Sequence, residues 1–178
     1  MNFKSLLGAV LLMGCASPLF AKEGDRYNIR VAPISVLAQV WNLESDFKVS
    51  DQFTLGPSVA YYIHKASGVQ TSAYVLGARA NWFPVNGVFN SGFYIGPSLS
   101  YIGVSAQQDK VEASLSVWQL TAVGGYHWFW DSGFNLNLGA GGSYQNWPDY
   151  VTVNGKKISL ETYENMSLAI EFTLGWSF

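Results

Sequence analysis

At the end of the chain, from Leu168 to Phe178, large apolar residues fall on every second position: Leu168, Ile170, Phe172, Leu174, Trp176 and Phe178. Between them stand Ala169, Glu171, Thr173, Gly175 and Ser177. A period of two places the first set on one face of a β-strand and the second on the other. The same alternation recurs at Phe53–Ile63, Tyr74–Trp82, Phe93–Tyr101, Trp118–Trp128 and Phe134–Gln145, which predicts six strands of about ten residues. An apolar face of this kind meets either a second sheet or lipid, and a single strand does not distinguish them.

The connections narrow the choice. Short turns at Ser50-Asp51-Gln52 and Trp130 to Gly133, and a modest one at Pro84 to Ser91, alternate with polar loops at His64 to Gln70, Ser105 to Ala113 and Asn146 to Tyr163. Short turns on one side and longer loops on the other are the habit of outer-membrane barrels. Aromatics gather near strand ends: Phe53, Trp82, Phe83, Phe93, Trp128, Trp130, Phe134, Trp176 and Phe178 on the predicted periplasmic side, and Tyr61, Tyr74, Tyr101, Trp118 and Tyr144 on the outer side. That is the placement expected of two interfacial girdles. The other face of each strand is rich in Gly and Ser, which suits a narrow interior. For both ends of the barrel to lie on one side the strand number must be even, so two more strands are expected before Ser50, at about Tyr27–Ser35 and Val40–Val49. Pro33 is the only turn signal between them.

Composition agrees. Charged residues make up 12% of the chain, about half of what soluble domains carry, while aromatics reach 16%. No stretch after the start of the chain has the length of apolar sequence that a membrane helix needs. Residues 1–21 have the form of a secretory signal, with Lys4, an apolar core at Leu6–Met13 and Ala21 before the cut. Leu12 to Cys15 also loosely resembles a lipidation box, the alternative processing site. Cleavage after Ala21 removes the only cysteine, so no disulfide is expected. It leaves nine basic against twelve acidic residues, too mild a balance to indicate a nucleic-acid partner.

The expected fold is therefore all-β: a transmembrane, antiparallel, up-and-down barrel of eight strands occupying residues 22–178. With its signal, its alternating strands, the segments "SDQFTLGPSVAYY" and "GFYIGPSLSY" and the terminal "FTLGWSF", the chain resembles the small eight-stranded outer-membrane barrels typified by the OmpA transmembrane domain and OmpX. The resemblance is one of architecture and carries no activity. It implies location in a Gram-negative outer membrane, contact with membrane lipid and lipopolysaccharide, and recognition of Phe172, Trp176 and Phe178 by the barrel-assembly machinery.

Chemistry is sparse. Arg79 and Glu171 fall inside predicted strands on the inner face, and are expected to pair across the interior as a polar plug. Of the two histidines, His127 faces inward near the periplasmic turns, and His64 stands at the outer rim without a patterned acid partner, Asp149 and Glu161 being distant in sequence. No metal-ligand spacing or cofactor motif is present, so neither a metal nor a cofactor is expected. The segment Asn146–Tyr163, with Trp147, Asp149, Tyr150, a hairpin signal at Asn154-Gly155 and the pair Lys156-Lys157, is the candidate surface for a partner protein or lipopolysaccharide phosphates. The functional expectation is a non-enzymatic barrel with a closed polar lumen and a structural or surface-binding role. The alternatives are a lipid A or phospholipid-modifying enzyme using His64 and a narrow pore using Arg79 and Glu171.

Overall fold

The computed structural model describes residues 27–66, 68–109, 111–159 and 164–178. The strands are β1 (Tyr27–Val31), β2 (Val40–Lys48), β3 (Phe53–Ala66), β4 (Val69–Trp82), β5 (Gly92–Gln108), β6 (Val111–Phe129), β7 (Phe134–Asn146), β8 (Tyr150–Val153), β9 (Lys156–Ser159) and β10 (Met166–Ser177), with one helix, α1 (Pro33–Leu37). β1 to β7 and β10 form one antiparallel sheet in which β5 pairs with β6 and β1 pairs with β10, so the sheet closes on itself as an eight-stranded barrel. Closure pairs most backbone groups of the wall within the wall, except above Val31, where β10 pairs with β7 alone among the described residues. Among the described residues no helix is long and apolar enough to cross a membrane.

Alternation decides which side chains enter the barrel. On β10, Glu171, Thr173, Gly175 and Ser177 are buried, while Leu168 and Ile170 on the opposite face are 76% and 73% exposed. Leu55, Leu76, Leu99, Leu120 and Leu138 are likewise exposed on neighbouring strands, giving the outside an apolar belt and the inside the polar residues.

Tyr27, the first described residue, and Phe178 meet at one end of the barrel, clasped by Tyr27 N–H donating to Phe178 O (3.1 Å) and Phe178 N–H donating to Tyr27 O (3.0 Å). We call this end, with the turns after β2, β4 and β6, the lower end. Two of its turns are tied together, Phe83 N–H donating to Gln52 O and Val88 N–H to Asp51 O. Phe83, predicted as a girdle residue, is instead buried with Val88, Phe89 and Tyr94 in an apolar cluster that closes the lower mouth. The turn after Trp82 carries it inward, because Phe83 falls on the same parity as Arg79 and Asn81.

Two other differences from expectation have clear causes, and one expected turn is present. β1 stops at Val31, four residues short of the predicted end, because Pro33 begins a helix whose single turn is too short to show a period. The polar segments at His64–Gln70 and Ser105–Ala113 are largely strand: β3 and β4 pair as far as Ala66↔Val69, and β5 and β6 as far as Gln108↔Val111. Ladder pairing needs no apolar face, so strands continue beyond the belt with polar sequence. In the long connection before β10, Asn154 and Gly155, with φ of 46° and 76°, turn a hairpin of β8 on β9, and β8 adds to β6 at Ala113 and Ser114.

Candidate functional site

The charged residues of the barrel wall meet in the lower half of the lumen. β1, with Tyr27, Ile29 and Val31 outward, turns Asn28 and Arg30 inward; β2 turns Glu44 and Asp46 inward; β4 supplies Arg79 and Asn81, and β10 supplies Glu171. Arg30, 1% exposed, holds three carboxylates at once: Nε lies 2.9 Å from Asp46 Oδ2, Nη2 lies 3.1 Å from Glu44 Oε2, and Nη1 lies 3.2 Å from Glu171 Oε1. Arg79 Nη2 reaches the other oxygen of Glu171 at 2.6 Å, and its Nε donates to Asn81 Oδ1 at 2.7 Å. Glu171 is thus shared by two guanidinia. This is the arrangement that makes buried charges tolerable, since each lies beside an opposite charge and Asp46, Glu171 and both arginines are also hydrogen-bonded.

A second layer holds the first. Asn81 Nδ2 donates to Asp46 Oδ1 (2.9 Å) and to Thr54 Oγ1 (3.1 Å), and Asn28 and Asn135 bond to each other below Arg30, Asn135 Nδ2 donating to Asn28 Oδ1 at 2.8 Å. The Asn137 amide touches His127 Nδ1, and His127 sits edge-on to Phe83 above the apolar closure. Room for long side chains comes from glycine on the facing strands. A methyl at Gly96 would strike the Arg79 guanidinium and Asn81 Oδ1, and one at Gly175 would strike Asn135 Oδ1 and the stem of Arg30. The hydroxyl of Tyr94, a buried side chain whose ring lies beneath the Arg79 guanidinium (5.8 Å), lies over Gly125 and Gly139.

Arg79 and Glu171, the two lumen charges expected from the sequence, therefore pair directly. Arg30, Glu44 and Asp46 were missed, although their positions carry the necessary sign: Asn28 and Arg30 alternate with Tyr27, Ile29 and Val31, and Asn42, Glu44 and Asp46 alternate with Trp41, Leu43 and Phe47. The five-residue β1 offers too few periods to be read by alternation alone.

Every charge of the cluster lies beside an opposite one, although Arg30 Nε, Glu44 Oε2, the Tyr94 hydroxyl and His127 Nε2 are buried without a hydrogen-bond partner. Its carboxylates converge on guanidinium groups, which fill the space a bound cation would take, and among the described residues no group of three His, Cys, Asp or Glu is placed to hold a metal. His64, at the upper rim, bonds through Nδ1 to Gln39 Oε1 (3.2 Å) and stacks on Tyr62. Asp149 lies in an exposed turn, and Glu161 lies outside the described residues.

On the outer wall near the upper end, a groove of about 310 Å³ is lined by Tyr74, Tyr101, Ser105, Ser114, Pro148 and Tyr150 among others. It joins two predicted girdle tyrosines to the predicted surface segment. Lys157 sits over the Tyr150 ring, Nζ 4.0 Å from its centroid, while Lys156 is exposed at the start of β9. Trp147 is half-buried, Phe172 and Trp176 stand on the outer face of β10, and Phe178 follows its last residue. No protein family, curated protein or solved structure matches this chain.

Proposed function

We propose that this chain is an exported outer-membrane barrel, cut after Ala21, that performs no chemistry and acts as a structural or surface-binding component of a Gram-negative envelope. The observation that carries the reading is the apolar belt around a closed wall: large aliphatic side chains on successive strands stand exposed, Leu76 and Leu120 each at 55%, while arginine and carboxylates are turned inside. In water such a surface would be a severe aggregation hazard, and in a bilayer it is the stable one. The resemblance to small outer-membrane barrels and the aromatic end of β10 support insertion by the barrel-assembly machinery. The groove between the barrel wall and Tyr150, with Lys156 and Lys157 nearby, supports contact with lipopolysaccharide or a surface protein through residues 146–163.

The decisive experiment is fractionation of cells expressing the full chain, followed by a gel of the detergent-purified protein with and without boiling. The expected result is recovery in the outer membrane and a mobility that changes on boiling, as folded barrels show. A processed protein that is monodisperse in water without surfactant overturns the proposal. The packed lower lumen favours a closed barrel over a pore, so planar bilayers should show no unitary currents. The Gln39 partner of His64 gives no general-base dyad, so lipid A masses should be the same with and without the protein.

A further inference from the structure

Above the aliphatic belt the outer wall changes its chemistry. Cross-strand rungs align its outward residues in rows. The row Leu76↔Tyr101↔Trp118 ends the belt with two touching aromatic rings, Tyr101 and Trp118 standing edge to face at 5.2 Å. The next row is Tyr74↔Gly103↔Ser116, and the one above it joins Ser105↔Ser114↔Thr152. The groove of about 310 Å³ lies on these two rows, and no charged side chain lines it. A methyl at Gly103 would strike the Tyr74 ring, so that ring lies across the wall, and it remains 44% exposed.

The far side of the groove is made by a bulge. β6 meets β7 as far as Trp118↔Asn146 and β8 from Ser114↔Thr152, so residues 147–151 stand opposite the shorter stretch 115–117. The surplus chain arches off the wall, and Pro148 and Tyr150 of the arch border the groove. Beyond β8 the arch is pinned, Asn154 N–H donating to Glu112 O and Glu112 N–H to Asn154 Oδ1, both at 2.8 Å. The groove is thus formed before any ligand arrives, which spares a ligand the cost of ordering it.

We infer that this groove binds one sugar ring in the head group of a membrane glycolipid. The inference rests on the membrane reading proposed above and names a ligand class for its surface segment. Serine, threonine and tyrosine hydroxyls both donate and accept, as sugar hydroxyls do, whereas a phosphate only accepts and calls for arginine or lysine. Lys157, paired across the ladder with Thr152, is engaged by the Tyr150 ring. Tyrosine rings offer apolar faces to the C–H groups of a sugar while their hydroxyls stay wet. The volume is at the small end of the range for ligand sites, about 300–1,000 Å³, which suits a ring and not a long chain. Height selects a lipid head group over a soluble sugar, because the groove faces sideways one row above the aromatic pair, at the level where aromatics mark the membrane interface.

The test uses the full mature barrel, purified in a detergent without a sugar head group, and native mass spectrometry of the lipid it retains. The probes are glucosyl diacylglycerol, deep-rough lipopolysaccharide and phosphatidylglycerol at equal concentration. The expected result is retention of at least one glycolipid tenfold or more above phosphatidylglycerol. Ser116→Trp, a substitution at an exposed position that fills the groove, should lower that retention at least fivefold and leave phosphatidylglycerol unchanged. Ser105→Ala with Ser116→Ala takes its place should the tryptophan variant lack the boiling-dependent mobility. Equal retention of all three lipids, untouched by either variant, overturns the inference and leaves the membrane reading intact. A preference for phosphatidylglycerol that Lys157→Ala abolishes assigns the groove to a phosphate and also overturns it. Free lactose bound as tightly as the glycolipids, with the same loss in Ser116→Trp, assigns the groove to soluble sugar and overturns the lipid source. A protein that is monodisperse in water and retains none of the lipids removes the membrane reading and the inference with it.

Discussion

The two halves of the lumen are built from the same eight strands and have opposite characters. Below, Arg30, Arg79, Asn81, Asn135, His127 and Tyr94 fill the interior with long buried side chains; above, the inward side chains are shorter, some half-buried, such as Ser58, Ala60, Ala73 and Val75, and some buried, such as Ser100, Val117 and Ser143. The strands do not change between the two, nor does the alternation that aims every second residue inward. What changes is side-chain length. Long polar side chains fit below because glycines such as Gly96, Gly125, Gly139 and Gly175 face them, so that bulk on one strand is matched by its absence on the next. The comparison shows that in a narrow barrel the strand count sets the width of the interior, and the placement of glycine opposite arginine determines where it is closed.

The difference predicts a graded response to mutation. Arg30→Ala should have the largest effect, leaving Asp46, Glu44 and Glu171 with only Arg79 among the lumen charges. Breaking a buried ion pair of this kind costs about 3–5 kcal/mol, measurable by urea unfolding of the barrel in vesicles. A loss below about 1 kcal/mol would mean that the lower lumen is wetter than its burial implies. Next, Gly175→Val should destabilise by about 1–3 kcal/mol through overpacking against the Arg30 stem, read in the same unfolding assay.

Substitution in the upper half should be mild. Val75→Ala should cost about 0.5–1 kcal/mol, because a half-buried side chain gives up only part of its apolar contact. A cost equal to that of Gly175→Val would erase the distinction between the halves. The smallest effect is expected outside the lumen altogether. A double-mutant cycle of Lys157→Ala and Tyr150→Leu should give a coupling of about 0.5–1 kcal/mol, the worth of an exposed cation–π contact, with no change at the charged cluster.

Much of this was legible in the sequence, for a physical reason. β3 to β7 and β10 run long enough for alternation to repeat several times, so their faces, and with them the inward Arg79 and Glu171, could be assigned residue by residue. The Asn154-Gly155 turn was legible because few residue pairs tolerate two successive positive φ angles. In the N-terminal part the parity of the barrel called for two strands, and β1 and β2 are there, but the helix between them and their inward charges were not legible. β1 has five residues, α1 has one turn and Ser45 interrupts the apolar face of β2, so no period accumulates there. Yet that part carries Arg30, Glu44 and Asp46, and so three of the five charges in the cluster.

The brevity of β1 has one more consequence. With four rungs joining it to β10, the last strand, the barrel is fastened at its seam chiefly by one guanidinium that reaches Glu171 on one side and Glu44 and Asp46 on the other. A protease that trimmed the chain past residue 30 would do more than shorten a strand. It would set three carboxylates against one another in a dry space with Arg79 alone to balance them, so the cylinder would be pushed apart at the join from within. A barrel buckled by an arginine can hold its closed form only when its first strand is intact.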